Sequence, residues 1–96
     1  MLFLVISTPR PDPPTSVVES RKRYWTWLAP LQANGICKAI WARVGRGAVA
    51  VFDVDSNDTL HRLMNEWADV IPVTFEVYPL VETGAARAFL KTQSGT

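Results

Sequence analysis

The chain has 96 residues, of which 48% are hydrophobic and 20% charged, and ten basic against nine acidic residues leave a formal net charge of +1. This length suits a single domain with one modest core, so we expect one domain over residues 1–96. So small a net charge provides no overall field to hold a nucleic acid or an anionic membrane, and we expect neither as a partner.

The single cysteine, Cys37, cannot form an internal disulfide, and one cysteine with one histidine is too few ligands for a cysteine-ligated zinc site. The apolar run MLFLVI at the start lacks a basic leading segment and is short for a secretory signal. No segment approaches the roughly 20 apolar residues of a membrane span. We therefore expect a cytoplasmic protein without a metal site.

The first elements are a strand and a long helix. Residues 2–8 are apolar and rich in β-formers, which is typical of a strand covered on both faces. A proline-rich loop follows, and then Thr15 or Ser16 can cap a helix over residues 16–34, which an Asn-Gly pair ends. Pro30 lies inside this helix and predicts a kink or an early end.

A hairpin, a second helix and a fourth strand follow. Residues 36–44 and 48–54 predict two strands joined by GRG, whose glycines can take the positive φ angles of a tight turn. Asp55 and Ser56 offer caps for the second helix. Its apolar residues recur at helical spacing: Leu60, Leu63, Met64 and Trp67. Residues 73–81 alternate apolar and polar side chains, which predicts the fourth strand.

The segment GAARAFLK after the fourth strand predicts one or two helical turns, and we expect residues 91–96 to form a disordered tail. The order βαββαβ predicts a four-stranded antiparallel sheet with two helices on one face, the ferredoxin-like α+β sandwich. Two helices leave the other face of the sheet bare. We therefore predict that a second copy packs sheet on sheet as a dimeric α+β barrel, in a homodimer or a larger ring.

The segment SRKRYWTWLAP raises the question of an RNA-binding patch. Successive helical residues turn by about 100°, so Arg21, Lys22 and Arg23 point in three directions and do not form one patch. The aromatic side chains of Tyr24 and Trp25 fall on the apolar arc of the helix instead of on a basic surface. This geometry argues against nucleic-acid binding.

The same helical wheel places Arg21 within an apolar stripe with Tyr24 and Leu28, on the face that should meet the sheet. One interpretation is that its guanidinium reaches the rim of the helix or pairs with a nearby carboxylate. The other is that Arg21 binds an anionic ligand group in a pocket between helix and sheet, with Tyr24 and Trp25 against the apolar body of the ligand.

Other candidate residues each have a structural and a functional interpretation. Asp53 can face the pocket or serve the N-terminus of the second helix. His61 is a residue type suited to proton transfer, but it lies at the flank of the apolar arc of its helix. Trp41 either fills the dimer core or walls the ligand pocket, and with Trp25 it suits a flat, conjugated ligand. Cys37 is expected to be a small buried apolar residue.

Several stretches at matching spacings resemble the muconolactone Δ-isomerase family over roughly residues 1–80. These are MLFLV at the start, LQANG at the end of the first helix, IW at 40 and 41, VFDVDS, and LH at 60 and 61. The resemblance implies a ferredoxin-like unit assembled into dimers and larger rings. It also implies a reaction, without a cofactor, in which a lactone double bond moves by proton abstraction and return.

The resemblance also bears on individual residues. The position of the family's helix-one lysine holds Arg21, which retains a cation for a substrate carboxylate. The position of the family's nearby glutamate holds Tyr24, which is a departure from the pattern of the family. A proton-transfer role then falls to Tyr24 or His61, with Arg21, Trp25, Trp41 and Asp53 as substrate-binding residues.

Three functions remain open from the sequence. The first is a cofactor-free isomerase or cyclase acting on a small anionic unsaturated lactone or related ring compound. The second is a binding or accessory protein that kept the pocket and lost the acid-base group. The third is a cofactor-independent monooxygenase on the same barrel architecture.

Overall fold

A computed structural model describes residues 1–93 of the chain. The strands are β1 (Leu2–Pro9), β2 (Cys37–Ala42), β3 (Ala48–Asp53) and β4 (Val73–Leu80). The helices are α1 (Val18–Ala33), which follows a short 3-10 turn (Pro14–Val17), α2 (Asn57–Val70) and α3 (Thr83–Gln93). The predicted order of elements is confirmed, including a helix, α3, after the fourth strand.

The four strands form one antiparallel sheet in the order β2-β3-β1-β4, so the predicted ferredoxin-like α+β fold is confirmed. Along β1, Phe3, Val5 and Ser7 are buried beneath the helices, because every second side chain of a strand points to the same face. Leu4 and Ile6 point to the other face and are only half-buried. A single chain therefore covers one face of this strand fully and the other only in part.

The start of α1 differs from the prediction of a capping hydroxyl. Within residues 1–93 no side chain caps the N-terminus of the 3-10 turn or of α1, and the Ser16 hydroxyl donates a hydrogen bond to the Pro13 carbonyl instead. At the other end Gly35 has a φ of 81°, as the predicted stop requires. Pro30 lies inside α1 without ending it, since the helix continues to Ala33.

Helix α2 begins as predicted and supplies the centre of the core. The Ser56 side chain accepts a hydrogen bond from the Thr59 backbone N–H at 3.2 Å. Trp67 is only 1% exposed. Its ring centroid lies 4.9 Å from that of Tyr24 on α1 and 5.2 Å from that of Phe75 on β4. These contacts tie both helices to the sheet.

A hydrogen bond between side chains also joins the two helices. The indole Nε1 of Trp27 donates to Glu66 Oε1 at 2.9 Å, and Arg62 donates to Glu66 Oε2 at 2.8 Å. The hydrogen bond from Trp27, followed by the contacts with Arg62, lowers the pKa of the Glu66 carboxyl below its ordinary value.

The C-terminal helix α3 is longer than predicted and stands apart from the rest of the fold. Its 11 residues include Lys91 and Gln93, so the predicted disordered tail is wrong for residues 91–93, and residues 94–96 lie outside the described part of the chain. Alanine-rich segments form helices readily, which accounts for the extra length. Phe89 and Leu90 are 63% and 65% exposed. Within residues 1–93, no helix is both long and apolar enough to cross a membrane.

Candidate functional site

A cavity of about 130 Å³ lies between α1 and the end of the sheet where the β2–β3 hairpin turns. Aromatic side chains form much of its wall: Tyr24, Trp25, Trp41 and Trp67. Its polar lining combines a buried serine with guanidinium groups: Ser7, Arg21, Arg43 and Arg46. A cavity of this kind suits a small, flat organic molecule.

Tyr24 is a buried residue of the cavity wall whose hydroxyl lacks a partner. The residue is 7% exposed, and among residues 1–93 its Oη is the one buried side-chain nitrogen or oxygen without a hydrogen-bond partner. Burial, with a smaller contribution from Cys37, raises the pKa of the phenol well above its ordinary value. The hydroxyl therefore stays protonated at neutral pH and acts as a hydrogen-bond donor, not as a base.

The position of the Tyr24 ring is set by its aromatic neighbours. The ring packs edge-on against Trp25 with centroids 5.3 Å apart, and it lies 5.9 Å from Trp27 and 4.9 Å from Trp67. Because rings on two helices hold it, the Tyr24 ring has a defined place beside the cavity.

Arg21 lies one helical turn before Tyr24 and lines the same cavity. Its side chain is exposed, and it makes no hydrogen bond or ion pair with any of residues 1–93. The nearby carboxylate of Glu19 pairs with Lys22 instead. Arg21 therefore does not pair with a local carboxylate. Its place at the rim of the cavity fits both a guanidinium that reaches the rim of the helix and one that binds an anionic ligand group.

The two arginines of the β2–β3 hairpin were missed by the sequence analysis. Arg43 Nη1 donates to the Ser7 carbonyl at 3.0 Å and to Thr8 Oγ1 at 2.9 Å. Arg46 Nη1 donates to the carbonyls of Arg10 and Asp12, at 3.3 and 2.8 Å. The segment RVGRG was a usable signal, since a tight turn brings its two arginines close together, but the sequence does not show which element faces them.

The hairpin itself is closely fitted to β1. Gly45 and Gly47 have φ values of 94° and 104°, which confirms the predicted turn glycines. A Cβ atom at Gly47 would lie 2.5 Å from the Ser7 carbonyl oxygen. The turn therefore holds Arg43 and Arg46 in a set position relative to the cavity.

The electrostatics of the cavity are one-sided. Of the residues in the described range 1–93, three arginines line it and no carboxylate does. The carboxylate of Asp12, near the Arg46 side chain, pairs with Arg10 at 3.6 Å. The hydrogen bonds of Arg43 and Arg46 are to neutral oxygens, which position a guanidinium without neutralising its charge. The cavity is therefore suited to an anion.

Trp25 and Trp41 line the cavity but are largely exposed, at 53% and 61%. Trp25 was expected on the apolar arc of α1, and Trp27 lies there instead, half-buried against α2. The reason is the helical period, since Trp27 is about 60° and Trp25 about 100° around the helix from Tyr24.

The structure does not bring His61 or Asp53 to the cavity. His61 is exposed on α2, where its carbonyl accepts a hydrogen bond from the Asn65 side chain. Asp53 ends β3 at the far side from the hairpin and pairs with the N-terminal amine at 3.2 Å and with Lys38 at 3.9 Å. Within the described part of the chain, no group of three or more potential ligands could hold a metal ion.

The fold is that of the muconolactone isomerase-like α+β proteins, and it carries a basic, aromatic-walled cavity. The model of a family described as a domain of unknown function (DUF3303) matches residues 1–94, and the chain belongs to that family. A search of curated proteins gives no significant sequence match.

Two solved structures share the fold. A muconolactone isomerase is 25% identical, with a TM-score of 0.68 over 85% of this chain and 90% of that one. A 5-chloro-2-hydroxyhydroquinone dehydrochlorinase from Burkholderia phenoliruptrix, in complex with 2,5-dihydroxybenzoquinone, is 17% identical, with a TM-score of 0.73 over 85% of this chain and 95% of that one. The resemblance found in the sequence is thus confirmed at the level of the fold.

Proposed function

We propose that the cavity binds a small, flat, anionic organic compound and that the protein acts on it by proton transfer, as a cofactor-free isomerase or cyclase. One observation carries the proposal: among residues 1–93, three arginines, no carboxylate and Tyr24, whose buried hydroxyl has no partner, line an aromatic-walled cavity. The fold is shared with a muconolactone isomerase, and another protein of this fold was solved with a quinone.

The size and lining of the cavity indicate the class of substrate. Apolar cavities of about 150 Å³ in other proteins admit benzene, so a cavity of about 130 Å³ with an open rim suits a single ring. A carboxylate on that ring would take a bidentate pair of hydrogen bonds from Arg21. An unsaturated lactone or related ring compound with one acidic group fits this description.

Tyr24 defines the step that the site can assist. Loss of a proton next to a conjugated carbonyl places negative charge on the carbonyl oxygen. A protonated, preorganised phenol stabilises that charge by donating a hydrogen bond. In this proposal Arg21 orients the substrate and Tyr24 keeps its proton and donates a hydrogen bond to the carbonyl oxygen. Solvent at the open rim accepts the proton from one carbon and returns a proton to the other, so the double bond moves with no net gain or loss of protons.

A second candidate is a binding or accessory protein without turnover. It is favoured by the absence, among the described residues that line the cavity, of any side chain that ordinarily titrates near neutral pH. The two candidates differ in one measurable property. An isomerase exchanges the acidic carbon-bound proton of an unsaturated lactone with deuterium from solvent, whereas a binder leaves that proton in place.

The anion site is tested by calorimetric binding of benzoate and its uncharged methyl ester. We expect Arg21→Gln to weaken benzoate binding about tenfold, because a charge-assisted pair is worth about 1.5–3 kcal/mol, and to leave binding of the ester nearly unchanged. Arg23→Gln is the matched control, since Arg23 lies on the same helix but does not line the cavity. Equal weakening of both ligands would defeat the anion site.

We also propose that two copies pair through the open face of the sheet, in a dimer or larger ring. Leu4, Ile6, Val49 and Val51 lie half-buried on that face, and Phe89 on the projecting α3 is exposed. Sedimentation equilibrium should show a dimer or larger species that Val51→Lys dissociates. A monomer at all concentrations would contradict this.

A further inference from the structure

The two arginines of the β2–β3 hairpin keep hydrogen-bond donors that the contacts within the protein do not use. Arg43 and Arg46 each employ Nη1 in hydrogen bonds to the β1 region. A guanidinium has five N–H donors, so those on Nε and Nη2 remain. Among residues 1–93 these remaining donors have no partner, and neither arginine forms an ion pair.

The hairpin arginines and Arg21 come from different layers of the fold. Arg21 is carried by α1 in the helix layer, and Arg43 and Arg46 are carried by the edge of the sheet, yet all three line one cavity. A single carboxylate pairs with one guanidinium fork, which would leave the positive charge at the other wall unmatched. Tyr24, whose buried hydroxyl has no partner among residues 1–93, lines the same cavity.

We propose that Arg43 and Arg46 form a second anion subsite, so that the preferred ligand is a flat conjugated compound with two acidic groups, one for Arg21 and one for the hairpin. This inference rests on the proposed function, since it assigns the substrate class of the same cavity. The first acidic group binds at α1, the second binds at the hairpin, and the conjugated body lies against the tryptophans between them.

The rigidity of the hairpin supports a subsite over a loose basic surface. The Arg43 N–H donates to the Gly47 carbonyl at 3.0 Å, which closes the turn, and Gly47 itself abuts the Ser7 carbonyl. Arg43 is further held by that same carbonyl. Guanidinium groups fixed in this way lose little conformational entropy when a ligand binds, so the entropy cost of binding an anion is small.

The test uses three rigid probes with the full chain: terephthalate, its monomethyl ester and benzoate. We expect terephthalate to bind at least tenfold more tightly than the other two, as measured by calorimetry at low salt. The preference for terephthalate should fall as the salt concentration rises, because salt screens two ion pairs with terephthalate and only one with each of the other two probes. These comparisons need no variant and are independent of any effect on folding.

Variants then locate the second subsite. Arg43→Gln and Arg46→Gln should each reduce the preference for terephthalate to about twofold, while benzoate, which retains Arg21, loses at most about twofold. Arg43→Lys and Arg46→Lys keep the charge and should keep most of the preference, and Arg23→Gln should change nothing. Near-UV circular dichroism verifies that each variant is folded.

The outcomes separate the two proposals. If terephthalate and benzoate bind equally and both depend on Arg21, the second subsite is excluded and the proposed function stands. If terephthalate is preferred but neither hairpin substitution reduces the preference, the second subsite is also excluded. If none of the probes binds wild-type protein, the anion-binding function falls, and the subsite falls with it.

Discussion

Replacing Tyr24 with phenylalanine should stabilise the protein, which is the reverse of the usual result for a buried tyrosine. The residue is 93% buried and its hydroxyl has no partner among residues 1–93, so the fold carries the cost of desolvating that hydroxyl without a compensating hydrogen bond. Mutational data place this cost at about 1–3 kcal/mol. The aromatic contacts of the ring with Trp25, Trp27 and Trp67 need only the ring, which phenylalanine keeps.

We expect Tyr24→Phe to raise the free energy of unfolding by about 1 kcal/mol, measured by urea titration with an unchanged m value. In a domain of this size that corresponds to a Tm increase of roughly 4–8 °C. Tyr24→Ala removes the ring as well and should cost about 3–5 kcal/mol. Tyr78→Phe is the matched control, because the exposed Tyr78 hydroxyl bonds only to Glu76, and its change should stay within about 0.5 kcal/mol.

A decrease of about 1 kcal/mol in the free energy of unfolding of Tyr24→Phe would refute this reasoning, because that is the cost of removing a hydroxyl that already has a hydrogen-bond partner. The same variant should bind an unsaturated lactone carboxylate several-fold more weakly and benzoate about equally, since it removes the donor assigned to the carbonyl oxygen and leaves Arg21 in place. Higher stability with lower affinity is the expected signature of a group kept for function at a cost to the fold.

Three further predictions concern stability. Because the pKa of Tyr24 is raised in the folded protein, its contribution to the free energy of unfolding is fully present below the unfolded pKa of about 10 and is lost as pH rises toward the folded pKa. Urea unfolding above pH 10 should therefore show a larger loss of stability for wild type than for Tyr24→Phe. The lowered pKa of Glu66 acts in the opposite sense, because its contribution to the free energy of unfolding is present above the unfolded pKa of about 4.3 and is lost as pH falls. Glu66→Gln still accepts the hydrogen bond from Trp27 but cannot ionise, so it should flatten the pH dependence of stability at acid pH. Gly47→Ala should lower the free energy of unfolding by about 1–3 kcal/mol or more in the same assay, because the new Cβ combines a φ of 104° with a contact of 2.5 Å to the Ser7 carbonyl oxygen. Gly84→Ala is the control, since its Cβ meets open space and the change should be neutral or stabilising. Equal effects of the two substitutions would contradict the packing of the hairpin.

Local patterns in the sequence determined the elements of the fold. The spacing of Leu60, Leu63, Met64 and Trp67 placed α2 with its buried face, and Ser56 capped it as expected. The glycines of the GRG turn took positive φ angles. These features succeed because periodicity and turn chemistry act over a few residues, and the order βαββαβ then leaves few topologies. The start of α1 failed because several prolines and hydroxyl residues offered competing boundaries.

The composition of the cavity was decided by the tertiary structure alone. The helical wheel placed Arg21 and Tyr24 on one face, and both line the cavity. Arg43 and Arg46 joined them only because the hairpin folds back over β1, a contact between segments about 36 residues apart that no local pattern contains. Whether a polar group has a partner likewise depends on every element packed around it. The unpartnered state of the Tyr24 hydroxyl therefore became visible only in the assembled fold.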